Sequence, residues 1–129
     1  MPASTHPGGP PPSPGEMPYQ GVVRVFAALP PWQLMLATAA RSIGRAHLTA
    51  VWAEDTPPTL DTDLAAELFT TRTAFDLQIE TAGGDLPVAV PSARLVHASR
   101  RGARQSDWHL HFAYEPLGAA DWAVLDPGR

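Results

Sequence analysis

Residues 106–114 (Ser106-Asp-Trp-His-Leu-His-Phe-Ala-Tyr114) carry apolar and polar side chains at alternating positions. The apolar set occupies one parity and consists of Trp108, Leu110, Phe112 and Tyr114; the other parity holds Asp107, His109 and His111. Alternation with a period of two residues is typical of a β-strand that has one buried face. The segment therefore predicts a strand with its aromatic side in the core and two histidines on the opposite side.

Working outward from this strand, several other segments also predict strands. Residues 75–79 alternate in the same way, and Ala82-Gly83-Gly84-Asp85 is typical of a hairpin turn because glycine permits positive φ angles. The remaining predicted strands are 22–26, 47–54 and 86–99, the last being interrupted at Pro91 and continuing extended over 92–99. Hairpin-linked strands late in the chain predict a mainly antiparallel sheet.

Two segments predict helices. Residues 32–46 carry apolar residues at helical spacing, namely Trp32, Met35, Leu36, Ala39, Ile43 and Ala46, while Thr38 falls on the polar side. A second helix is predicted over about 61–72, with Leu60, Leu64, Leu68 and Phe69 facing inward. The resulting order is β-α-β-α-β-β-β, and we expect an α+β fold with both helices packed on one face of the sheet.

The first 18 residues differ in composition from the rest of the chain. They hold seven of the 15 prolines and three of the 10 glycines, and they lack a continuous apolar run. Such a segment cannot bury enough apolar surface to offset the entropy of ordering it. We therefore predict a disordered Pro/Gly-rich tail over 1–18 and a single α+β domain over 19–129.

Composition excludes several chemistries. The chain has no Cys, which removes thiol nucleophiles and thiolate metal sites, and all nine of its basic residues are Arg, which removes lysine Schiff bases. The absence of Lys and Asn and the abundance of Ala, Pro, Gly and Arg indicate a bacterial gene of high GC content. A net charge of −4 disfavours nucleic acid as a partner, and neither a membrane span nor a secretion signal is recognisable. We expect a small soluble cytoplasmic protein.

The histidines of strand 106–114 are the candidate metal ligands. His109 and His111 are two residues apart and project from one face, so both imidazoles can reach one ion, with Asp107 as a further ligand. His97 on the preceding strand joins them if Val96 faces the core opposite Leu110, because His97 then lies across from His109. If Leu95 faces the core instead, His97 lies on the aromatic face and the cluster is lost. The ion would be Zn or another divalent transition metal.

The spacing Gly102…His109-x-His111-x3-Glu115 resembles the first metal motif of the cupin family. The resemblance covers 14 residues, and it implies a histidine and carboxylate metal site. The sequence departs from that family because one extra residue follows the glycine and Trp122 stands where the motif closes with glycine. A second motif with a further histidine has no counterpart in the 14 residues that follow Glu115.

Charged residues are unevenly distributed. Segment 94–104 contains four arginines and no acid (Arg94, Arg100, Arg101 and Arg104), and segment 54–67 contains five acids and no base. Arginine grips carboxylates and phosphates through paired hydrogen bonds, so an Arg-rich hairpin tip is a candidate contact surface for another protein. A charged turn that only keeps the protein soluble has the same composition.

One serine occurs in a pattern that resembles a nucleophile. Ala40-Arg-Ser42-Ile-Gly44 is the Ala variant of the Gly-x-Ser-x-Gly elbow, which functions only at a turn between a strand and a helix in a large α/β sheet. The predicted helix at 32–46 does not provide that context. The sequence therefore favours a non-enzymatic role and predicts no catalytic residue.

Together these features predict a small accessory domain that binds another protein through a sheet face and the Arg-rich hairpin tip, without a cofactor. A homodimer is compatible with such a surface. The alternative is a domain, with or without enzymatic activity, that binds a metal or small molecule through His97, Asp107, His109 and His111.

Overall fold

The fold is described by a computed structural model that covers residues 16–29, 32–55, 62–69, 74–81, 86–101 and 107–125. Strands dominate these ranges. The elements are β1 (Met17–Pro18), β2 (Val22–Leu29), β3 (Trp32–Ile43), β4 (His47–Ala53), α1 (Thr62–Leu68), β5 (Ala74–Ile79), β6 (Val88–Arg101), β7 (Asp107–Ala113) and α2 (Ala119–Leu125). Strands β2–β7 pair antiparallel in the cyclic order β2-β3-β4-β7-β6-β5, which closes a six-stranded barrel.

The barrel interior is filled by the alternate residues of its strands. Strand β7 contributes Trp108, Leu110 and Phe112, which lie opposite Trp52, Ala50 and Leu48 of β4. Every second residue of β5 is likewise buried. Because the strands bury one parity and expose the other, the outward-facing residues form a continuous surface around the barrel.

The ends of the barrel are closed by segments outside the sheet. At one end, Phe69 follows α1 and lies against Trp52 and Trp108, with ring centroids 5.7 and 5.2 Å away. At the other end, Tyr114 follows β7 and lies with its hydroxyl 2.8 Å from the carbonyl oxygen of Gly44. Leu125 of α2 also belongs to the core.

The predicted helix over 32–46 is absent, and the predicted α+β fold is therefore wrong. Residues Trp32–Ile43 form β3, which pairs with β2 on one side and β4 on the other. Without β3 both of those strands would have an unpaired edge. The buried Thr38, which helical spacing placed on the polar side, donates its hydroxyl to the Val23 carbonyl at 2.7 Å. The prediction failed because Met35, Ala37 and Ala39 face outward and mask the two-residue alternation.

Other predictions agree with the structure. The strands predicted at 22–26, 47–54, 75–79, 86–99 and 106–114 correspond to β2, β4, β5, β6 and β7, and the second helix is confirmed over the shorter range of α1. Pro91 is accommodated in β6 because the pairing with β5 shifts register there. The next residue, Ser92, has a φ of 56° and donates its backbone N–H to Asp76 at 3.0 Å.

Several predictions concern residues outside the described ranges. They are the hairpin turn at 82–85, Leu60, Arg104 and most of the tail over 1–18, whose last two residues form β1. The division into a tail and one domain stays a prediction. No helix in the described part of the chain is long and apolar enough to cross a membrane.

Candidate functional site

Four of the five histidines lie on the outer surface of three adjacent strands, β4, β7 and β6. Residues paired across these strands form rows that contain one residue of β4, one of β7 and one of β6. The first row is His47, Ala113 and Arg94, the second is Thr49, His111 and His97, and the third is Val51, His109 and Ser99. The next row contains Ala53, Asp107 and Arg101. We call the outward residues of these rows the histidine face: His47, Thr49, Val51, Ala53, Arg94, His97, Ser99, Asp107, His109, His111 and Ala113.

A β-bulge in β6 brings His97 onto this face. Leu95 points into the core opposite Phe112, yet His97 pairs with His111 because the register shifts between Leu95 and His97. The extra residue is Val96, whose surface is 47% exposed. Neither register considered from the sequence is the observed one, since a bulge lets Leu95 and His97 face opposite sides.

The imidazoles of His47 and His111 are in direct contact. Their ring centroids are 5.6 Å apart and the ring planes meet at 61°. His47 and His97 are exposed, while the side chain of His111 is 27% exposed. Three imidazoles therefore lie close together on the outer surface of neighbouring strands.

A carboxylate outside the barrel strands reaches the histidine face. Glu16 precedes β1, and its side chain is only 1% exposed. One carboxylate oxygen accepts a hydrogen bond of 2.6 Å from the Ser42 hydroxyl, and the other lies 3.4 Å from Nε2 of His111. This second oxygen and His111 Nε2 are both buried without a hydrogen bond in the described structure.

Ser42 has no arrangement suited to nucleophilic catalysis. It lies within β3 rather than at a turn from a strand to a helix, and it is 5% exposed. In a catalytic triad the imidazole stands between the hydroxyl and the acid, so that it can take the hydroxyl proton. Here the Glu16 carboxylate stands between Ser42 and His111, so the serine donates to an acid instead.

Tyr114 fixes the backbone at the edge of the histidine face. Its hydroxyl lies 2.8 Å from the Gly44 carbonyl and 2.9 Å from the His47 carbonyl, and it donates to these oxygens. Burial of the phenol raises the pKa of Tyr114, and the negative charge of Glu16 raises it further. The neutral phenol therefore ties the start of β4 to the end of β7, which positions His47 beside His111.

The four arginines predicted to form a hairpin tip do not share one environment. Arg94 is exposed on the histidine face, and Arg101 pairs with Asp107 in the row farthest from it. Arg100 pairs with Trp108, and its guanidinium lies 3.1 Å from the Glu54 carboxylate, which also accepts a hydrogen bond from Trp108. Arg104 lies outside the described residues.

The four predicted metal ligands share one outer surface without forming a ready coordination sphere. His97 lies beside His111 and His109 is one row away, but Asp107 is two rows from His111. Among the described residues no group of three or more His, Asp or Glu side chains has a geometry that could hold a metal ion. Binding of a metal by these residues stays a prediction.

An apolar groove of about 310 Å³ adjoins the histidine face on β3 and β4. Its lining consists of small side chains and one acid: Val22, Ala37, Thr38, Ala39, Val51, Ala53 and Asp107. Outward alanines in place of polar residues give this side of the barrel a shallow, weakly hydrated surface. A partner seated on the histidine face would extend onto the groove.

Sequence reasoning missed several residues of this site. His47 has the outward parity of its strand but stands alone there, and Glu16 belonged to the predicted tail. Ser42 was assigned to a helix. The signal for His47 was available, because it precedes the buried Leu48, whereas the position of Glu16 depends on β1 pairing with the far end of β3.

Comparison with known proteins identifies a similar fold. The sequence matches no protein-family profile and no curated protein. Among solved structures, the Bacillus subtilis inhibitor of motility (MotI/DgrA) resembles the chain with a TM-score of 0.55 and 14% sequence identity. The match covers 86% of this chain and 46% of that protein, so the chain spans about half the length of its structural neighbour. At this identity the similarity shows the fold alone.

Proposed function

We propose that the chain is a non-enzymatic accessory domain that binds an acidic surface of another protein through its histidine face. The observation that carries this proposal is the concentration of His47, His97, His109 and His111 with Arg94 on one side of a protein whose net charge is −4. Asp107 is the only carboxylate among the described residues of that face. Opposite charges steer association and select partners.

The charge asymmetry extends to the rest of the barrel. Arg24 of β2, on the side opposite β7, is paired with Glu80 at 2.8 Å, so this cation is largely offset by its neighbour. Asp63 and Glu67 of α1 are exposed as well. An acidic partner is therefore attracted to the histidine face and repelled by the exposed acids of α1, which favours one orientation of binding.

Two further observations support a role without catalysis. The serine of the elbow-like pattern donates to a carboxylate and has no imidazole between them. The fold resembles that of the Bacillus subtilis inhibitor of motility, and an accessory role is compatible with that resemblance. These two observations concern the kind of role, and the partner is defined by its chemistry, an acidic surface.

The proposal is tested with a fluorescein-labelled peptide of alternating Asp and Glu, titrated at pH 6.5 and low salt. The variants Arg94→Gln and Arg24→Gln lose the same charge, the first on the histidine face and the second on β2, outside that face. We expect Arg94→Gln to raise Kd about three- to fivefold, the effect of losing about 0.6–1 kcal/mol from an exposed ion pair. Equal losses of affinity in both variants would indicate a response to net charge only and would refute the assignment.

A second candidate function is binding of a metal or small molecule by the same face. It is favoured by the contact between the His47 and His111 rings and by the pairing of His97 with His111. The described side chains would have to change rotamer to converge on one ion. Calorimetric titration with Zn²⁺ at pH 7.5 tests it, and binding of equal strength in the protein and in a His97→Ala/His111→Ala variant would exclude this face.

A further inference from the structure

The pocket that holds the Glu16 side chain has the properties of a built carboxylate site. Ser42, itself 5% exposed, supplies a hydroxyl donor at 2.6 Å, and His111 approaches the second oxygen at 3.4 Å. His47 lies against the His111 ring and adds a further imidazole at the rim. A charged carboxylate is buried only where donors compensate the loss of water; Ser42 provides one such donor, and the imidazole of His111 lies beside the second oxygen.

The segment that places Glu16 in the pocket is attached by few interactions. Strand β1 has two residues, and its register consists of Met17 opposite Ile43 and Pro18 opposite Ser42. From Tyr19 onward the chain is fixed more firmly. The Tyr19 N–H donates to the Arg41 carbonyl at 3.1 Å, and its hydroxyl donates to the Glu80 carbonyl at 2.7 Å. Residues 16–18 can therefore detach without opening the barrel.

Glu16 also fits the pocket imperfectly. Its second oxygen and His111 Nε2 are buried and 3.4 Å apart, yet neither makes a hydrogen bond. The backbone of β1 fixes where this carboxylate can lie. A carboxylate on a separate chain is free of that constraint, so it can accept from Ser42 and His111 together, and hydrogen bonds with a charged group are the stronger ones.

We propose that Ser42 and His111 form a carboxylate-binding site that Glu16 occupies in the free protein and that takes an Asp or Glu side chain of the partner. This inference rests on the proposed acidic partner. It adds that Glu16 is a competing ligand supplied by the chain itself. Binding of the partner then displaces β1 from β3, while the chain from Tyr19 onward stays in place.

The experiment uses sodium acetate as the probe, with sodium chloride replacing it at equal ionic strength in the reference. NMR follows the His111 imidazole and the Ser42 amide in the full chain and in Glu16→Ala. We expect saturable shifts in the millimolar range in Glu16→Ala only, because its pocket is empty. Unchanged resonances of β2 verify that the variant is folded.

Two matched variants define the chemistry. Glu16→Gln keeps a carbonyl that accepts from Ser42, so the pocket stays filled and acetate is expected to bind at least about fivefold more weakly than to Glu16→Ala. Ser42→Ala in the Glu16→Ala background removes the donor and is expected to weaken acetate binding by a similar factor of about five, which is equivalent to about 1 kcal/mol. Shifts that rise linearly with acetate, or that are equal in all variants, would overturn the site.

The acidic peptide separates this inference from the proposed function. When the peptide binds the full chain, the amide of Met17 is expected to shift as β1 leaves β3. Peptide binding at the histidine face with an unchanged Met17 amide would overturn the displacement of Glu16 and leave the proposed function standing. Acetate binding without peptide binding would support the carboxylate site and refute the acidic partner.

Discussion

Phe69→Ala tests whether the residue after α1 closes the barrel. Phe69 is buried, and its ring lies 5.7 Å from Trp52, 5.2 Å from Trp108 and 6.5 Å from Phe75. Truncation removes all three aromatic contacts and leaves a cavity that the rigid strands cannot fill by collapse. We expect a loss of about 3–5 kcal/mol in the free energy of unfolding, the range for buried Phe→Ala changes.

The assay is equilibrium unfolding in urea followed by tryptophan fluorescence. Because Trp52 and Trp108 contact Phe69, their emission in the folded state is expected to shift to longer wavelength as water enters the barrel end. The melting temperature is expected to fall by about 12–20 °C, at about 4 °C per kcal/mol for a domain of this size. Leu86→Ala is the control, since Leu86 is 87% exposed and its truncation should cost less than about 0.5 kcal/mol. A cost below about 1 kcal/mol for Phe69→Ala, with unchanged emission, would refute the role of Phe69 as a plug.

Three further predictions concern other parts of the barrel. The raised pKa of Tyr114 means that the unfolded state loses its phenol proton first, so stability falls by up to about 1.4 kcal/mol per pH unit above pH 10. The free energy of unfolding of Tyr114→Phe, measured by urea titration, should decline less steeply between pH 9.5 and 11 than that of the unsubstituted protein. Equal slopes would contradict the burial of the phenol. Deleting Val96 removes only the bulged residue, so amide NMR should still show His97 beside His111; loss of that pairing would contradict the bulge. Thr38→Val should lower the free energy of unfolding in urea by about 0.5–1.5 kcal/mol, because it removes a buried hydrogen bond. If Thr38 lay on the solvated side of a helix instead, the substitution would leave this free energy unchanged.

Parts of the fold could be predicted because their physical signal is local. In β7 and β5 each inward residue is apolar and most outward residues are polar, so alternation alone indicates the strand. In β3 the outward residues include Met35, Ala37 and Ala39, and that composition fits a helix stripe equally well. The barrel decides the outcome, because β3 supplies hydrogen bonds to β2 along one edge and to β4 along the other.

The candidate site divides in the same way. The shared face of Asp107, His109 and His111 follows from parity within one strand, and the structure places them as expected. The position of His97 could not be derived, since a single extra residue, Val96, changes the face of everything after it. Glu16 reaches Ser42 and His111 only through the pairing of β1 with β3, which no local pattern in a Pro-rich segment indicates.

The most direct test of an acidic partner on the histidine face is to map where an acidic peptide binds. The peptide of alternating Asp and Glu is titrated into isotope-labelled protein at low salt. We expect amide shifts at Arg94, His97 and His111 and no shifts in α1. Shifts confined to the opposite strands, or shifts in α1 as large as those on the histidine face, would contradict the proposed function.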